Sequence, residues 1–197
     1  MQGRKTLPKA PRFLRIIPYL KEFFIMNKSA KTLTTTHKLA LAGVLCAVAV
    51  VGSLLSFPVL GSKCAPVQHM VNILCAVVLG PWYGVGVAFV ASLVRNILGI
   101  GSLMAFPGSM CGALLCGVAF WKSKNLPLTL IAEVFGTGII GGFAAYPIAK
   151  YLMGLTPAAY TVYIVPFLIS TVAGSILAGI LVAALRKAGV PGLAAKA

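Results

Sequence analysis

Gln68, His69 and Asn72 lie within five residues of one another, at the spacing that puts side chains on one helix face, and Arg95 and Asn96 follow in the next apolar run. Together they supply amide donors and acceptors, an imidazole and a guanidinium, the groups that recognise a polar solute by hydrogen bonds and charge. Glu133 is the one acid inside the later apolar runs. A bilayer offers no water to such groups, so a cluster of them marks a binding or transport site; the competing use is interhelical hydrogen bonding that locks packing. Counted along their helices from one side, Glu133 lies about 12 Å deep and Arg95 about 18 Å. That is close enough for a structural ion pair, with ligand contact by either residue as the other use.

Metal and enzyme chemistry are poorly served. His37 is the only other histidine and lies in a basic leader, so no ligand set with metal spacing exists, no nucleophile has a base beside it, and no cofactor is implied. None of the five cysteines (46, 64, 75, 111 and 116) forms a CxxC, and four fall within apolar runs as buried, inert thiols. Cys64 alone is expected to be exposed. A GxxxxGK[ST] nucleotide loop is also missing.

The elements that must position these residues are apolar helices. Hydrophobic residues make up 59% of the chain and charged residues 10%, and the mean hydropathy is +0.99. These values exceed what a soluble domain of this length needs to fill one core. Apolar runs at Leu39 to Phe57, Val67 to Leu79, Tyr83 to Leu98, Leu103 to Trp121, Leu126 to Ala149 and Tyr160 to Leu185 predict an all-α integral membrane bundle of six transmembrane helices. The pairs Gly43/Ala47, Gly84/Ala88 and Gly174/Ala178 are of the small-xxx-small kind that lets helix backbones approach in lipid.

The formal charge of +15 reads as topology rather than as nucleic-acid binding. Nine of the seventeen Lys and Arg precede Leu39, and no basic stripe interleaves with aromatics. Arg4 to Lys38, Lys122, Lys124, Arg186 and Lys187 then fall on one side, cytoplasmic by the positive-inside rule, with both termini, leaving Lys63 and Lys150 outside. Residues 1–38 form a basic N-terminal segment, of which 1–25 are either an interfacial helix or an extension before a true start at Met26. Residues 39–187 form the transmembrane domain, and 188–197 a cytoplasmic tail. Gln68, His69, Arg95, Asn96 and Tyr146 then surround an outward-facing pocket, with the loop Pro58 to Pro66 as its lid and the turn Gly99 to Ser102 beside it.

The runs Pro66-Val-Gln-His-Met-Val-Asn72, Leu79-Gly-Pro-Trp-Tyr-Gly84, Ser92-Leu-Val-Arg-Asn96, Phe106-Pro-Gly-Ser-Met110 and Glu133-Val-Phe-Gly-Thr-Gly138 resemble the ThiW family. The resemblance covers about Thr34 to Lys187; the segment before Met26 departs from it. ThiW proteins are substrate-binding S components of energy-coupling-factor vitamin importers. The resemblance therefore implies a non-enzymatic, multi-pass protein of the bacterial plasma membrane. It would bind hydroxyethylthiazole, the thiazole half of thiamine, and work with a transmembrane coupling protein and two ATPases. Amides and Arg95 would hydrogen-bond the thiazole while Tyr146 or Phe106 stacks on it, which makes Gln68, His69, Asn72, Arg95, Asn96, Phe106, Glu133 and Tyr146 the expected binding residues. A phosphate-bearing ligand also suits Arg95 with Lys63. Ala40, Gly43 and Ala47 on the first helix are similar to the small residues that dock S components on the coupling protein. The alternatives are an autonomous secondary transporter using Glu133 as its proton site, which lacks an evident inverted repeat, and a membrane scaffold or enzyme.

Overall fold

The computed structural model describes residues 34–59 and 62–188. Most of the expected N-terminal segment and tail, and the middle of the expected lid, lie outside the described residues.

Six helices make up the described chain: α1 (Thr35–Gly52), α2 (Pro66–Val78), α3 (Pro81–Ile97), α4 (Ala105–Ser123), α5 (Leu126–Leu152) and α6 (Ile164–Lys187). Local chemistry sets several of their starts. Thr34 caps α1 by accepting from the His37 amide, Asn125 caps α5 by accepting from Leu128, and Pro66 and Pro81 occupy the first turns of α2 and α3, where a missing N–H costs nothing. Gly80 turns the chain between α2 and α3 at φ 95°, a conformation that penalises any side chain. A short hairpin, β1 (Phe57–Val59) paired antiparallel with β2 (Ser62–Cys64), links α1 to α2.

Successive helices run in alternating directions. Thus α2 and α6 lie parallel, Pro66 and His69 facing Gly174 at one end, while Ile73, Val77, Ala178 and Val182 share a core further along. Helix α2 is the axis of the bundle. It packs against every other helix, and its 13 residues bury both apolar and polar faces, including Gln68, His69 and Asn72.

The surface is apolar and the interior carries the polar groups, the reverse of a water-soluble domain. Leu54, Ile131, Ile176 and Ile180 are exposed, whereas Ser92, Asn72, Thr129 and Glu133 are fully buried. Three helical stretches, Thr35–Leu55, Leu126–Leu152 and Ile164–Lys187, are long and apolar enough to cross a membrane, and α2 is apolar but shorter. An apolar exterior of this extent is suited to lipid.

Helix α5 is not uniform. It widens into π turns over Val134–Gly141 and again over Ile148–Leu152, the second just after Pro147. A π turn follows where the i to i−4 ladder is interrupted, and such widenings gather at functional sites. The first begins immediately after Glu133.

Candidate functional site

The hairpin end of the bundle holds one continuous polar network. At its base Glu133 Oε1 accepts from Nδ1 of His69 at 3.0 Å, from Nδ2 of Asn72 at 3.0 Å and from the Thr137 hydroxyl at 3.1 Å. Asn72 spends its whole amide: its second N–H goes to the Ser109 carbonyl at 3.1 Å, and its Oδ1 accepts from Gln68 at 3.4 Å. Gln68 in turn accepts from the Arg95 guanidinium at 3.3 Å.

Sequence spacing builds this chain of contacts. Gln68, His69 and Asn72 share the α2 face turned to α3, α4 and α5, and Thr137 follows Glu133 by four residues, so its hydroxyl returns to the carboxylate. Helix α4 must be bare where the carboxylate sits. A Cβ on Gly112 would lie 2.7 Å and 2.8 Å from the two Glu133 oxygens and would overlap the Thr137 hydroxyl. Glycine there creates the space that the acid occupies.

Above the network is a cavity of about 30 Å³, lined by Lys63, Gln68, His69, Arg95, Ser109, Thr137, Phe167 and Ser170 among others. It has room for a water or two, not for a heterocycle. Lys63 reaches from the hairpin to the Ile100 carbonyl at 3.4 Å, and Ala65 donates to the Ser170 hydroxyl at 2.9 Å, tying the hairpin to the α3–α4 loop and to α6.

Of the two uses open to Arg95 and Glu133, the structural ion pair between them does not form. Among the described residues the salt bridge is His69 with Glu133, and Arg95 reaches that acid only through Gln68 and Asn72. Similar depth along two helices does not fix the direction in which each side chain points. Cys64, expected to be exposed, is buried and donates to the Pro166 carbonyl at 3.1 Å, and burial pushes its thiol up from the ordinary value.

The remaining expected site residues lie apart from the cavity. Asn96 donates to the carbonyls of Ser92 and Ser102, at 2.8 Å and 3.1 Å, and so fastens the loop after α3. Phe106 packs against Phe89, with centroids 5.6 Å apart, and Tyr146 stacks on Tyr160 at 3.8 Å. Ala40, Gly43 and Ala47 are all exposed on α1, Gly43 bordering an apolar groove of about 570 Å³ against α3.

Ser109, Thr137, Phe167 and Ser170 line the cavity and are not among the residues expected from sequence. Two signals pointed to them: the four-residue step from Glu133 to Thr137, and Ser109 next to Gly108 and three residues before Gly112. Phe167 and Ser170, in a uniformly apolar run, carry no such signal.

A model of the family described as thiamine-precursor transporter protein (ThiW) matches residues 39–188, well over half of the chain. No curated protein and no solved structure matches.

Proposed function

The chain belongs to the ThiW family of thiamine-precursor transporter proteins, and from that premise we propose that it is the membrane-embedded substrate-binding subunit of an energy-coupling-factor importer, capturing hydroxyethylthiazole from outside. In this reading all six helices cross the bilayer with both termini cytoplasmic. Lys122, Lys124, Arg186 and Lys187 then meet the cytoplasm, while the hairpin end faces outward.

The observation that carries the reading is the buried polar network at one end of an otherwise apolar bundle. Its amides, guanidinium and hydroxyls can hydrogen-bond a ring nitrogen and an alcohol, and Phe167 supplies an aromatic wall. Gln68, His69, Arg95, Ser109 and Thr137 are the residues assigned to the ligand; Asn72 and Glu133 hold them in place. Energy comes from a coupling protein and two ATPases, with the exposed small face of α1, Ala40, Gly43 and Ala47, as the docking surface.

Calorimetric titration of detergent-purified protein with hydroxyethylthiazole, beside thiamine and its pyrimidine half, tests the substrate. Binding of the thiazole alone is expected; binding of the pyrimidine half alone overturns the assignment. The buried His69–Glu133 pair also favours a second reading, a proton-coupled carrier. Uptake that persists in cells lacking the ATPases would select it.

A further inference from the structure

We propose that the ligand of this cavity carries an oxyanion, a carboxylate or a phosphate, and that Arg95 is its counter-ion, with Lys63 at the rim. The proposal rests on the transport reading of the site and departs from it in one respect: hydroxyethylthiazole itself has no oxyanion, so the thiazole taken up would be an anionic derivative of it.

Arg95 is 3% exposed, yet its guanidinium has one hydrogen bond, to the neutral Gln68 amide at 3.3 Å, and its Nε has no partner. A buried guanidinium is stable only beside an anion or a full set of acceptors. The protein has almost no anion to give. The sequence contains two acids, Glu22 and Glu133, and of these only Glu133 falls among the described residues. Its Oε1 is already taken by His69, Asn72 and Thr137. Among the described residues, Arg95 thus lines the cavity as a cation without a counter-ion.

The surroundings reinforce the sign. Lys63 lines the same cavity, held by a single long contact to the Ile100 carbonyl at 3.4 Å. The hydroxyls differ: that of Ser109 donates to the Ala105 carbonyl at 2.7 Å, whereas that of Ser170 accepts from Ala65 and keeps its own proton as a neutral donor for a ligand. With the two permanent cations Arg95 and Lys63 at the cavity and Glu133 the one acid beneath it, the groups around the cavity lean positive. The planar guanidinium suits the paired oxygens of a carboxylate or phosphate.

The test uses the full chain in detergent and four probes: hydroxyethylthiazole, its phosphate monoester, the analogue whose terminal CH2OH is a carboxylate, and inorganic phosphate alone. One anionic thiazole is expected to bind at least about tenfold tighter than the alcohol, the factor expected of one charge-assisted contact. Which anion binds identifies the group. Arg95→Gln should abolish that preference and Arg95→Lys should restore part of it. An alcohol that binds as tightly as both anions, or a preference that survives in Arg95→Gln, overturns the proposal. Should Arg95→Gln fail to fold, the ranking of the probes on the unaltered protein decides. Stabilisation by phosphate that needs Arg95, with no thiazole bound, keeps the oxyanion subsite and removes the thiazole. Failure of all four probes removes both.

Discussion

The polar cavity beneath the hairpin holds about 30 Å³, whereas the groove between α1 and α3 holds about 570 Å³. The larger hollow is bordered mainly by apolar side chains such as Leu39, Ala42, Val87 and Val90, with Trp82 and Tyr83, among the described residues, as its only strong hydrogen-bonding side chains. In the smaller one, Gln68, Arg95, Ser109 and Thr137 converge, each nearly inaccessible. Volume therefore does not locate the chemistry of this molecule. The density of satisfied and unsatisfied polar groups does, because in an apolar bundle each of them is costly to keep. The groove is suited to another helix or to lipid, the cavity to a solute.

Substitutions can break or sharpen this contrast. The largest effect is expected from Glu133→Ala, which removes the acceptor of His69 and of one Asn72 N–H while Thr137 keeps the Gly108 carbonyl at 3.2 Å, and which should cost roughly 3–5 kcal/mol, read as a lowered unfolding temperature in detergent. Glu133→Gln, which keeps an acceptor, should lose much less. A small loss in Glu133→Ala would mean that the network is not what holds the hairpin end together.

Next comes Gly174→Ala. The new Cβ would lie 2.7 Å from His69 Cβ and overlap the Pro66 carbonyl, forcing α6 from α2; about 1–3 kcal/mol of destabilisation is expected. Tyr146→Leu removes the stack on Tyr160 and should cost about 1 kcal/mol while leaving ligand affinity unchanged in the same calorimetric titration. A fall in affinity would return Tyr146 to the binding residues. Smallest in stability is Gly43→Ala, whose Cβ would meet nothing within 4 Å; unfolding should shift by less than about 0.5 kcal/mol. Cellular uptake should nevertheless fall if α1 docks a partner. Unchanged uptake would leave the groove to lipid.

Gly43 and Gly174 also show how far the sequence could be read. Both stand in small-xxx-small pairs, yet Gly174 is pressed between helices and Gly43 faces open space. The motif permits close approach without saying to what. Apolar runs located all six helices because burial in lipid or in the bundle demands apolarity along the whole element. Exact ends were less legible: α1 begins at Thr35 and α6 at Ile164, where capping and turns, not hydropathy, decide.

Within the site, Gln68, His69 and Asn72 stood out because polar side chains are costly in a short apolar helix, and the interhelical bonds of Asn72 are one use for them. The partner of Glu133 did not. It depends on how α2 and α5 rotate about their axes, which the glycines of α4 and the π turns of α5 set together. Phe106 and Tyr146, expected to stack on a ligand, each pair with another aromatic, Phe89 and Tyr160.

The small volume of the polar cavity also has a kinetic consequence. On the proposed function, a ligand of heterocycle size enters only after the wall has moved, and capture is then gated by an opening of the protein. The observed association rate should then level off at high ligand concentration, at the opening rate itself, and the measured affinity should be weaker than the intrinsic one by the fraction of time spent open.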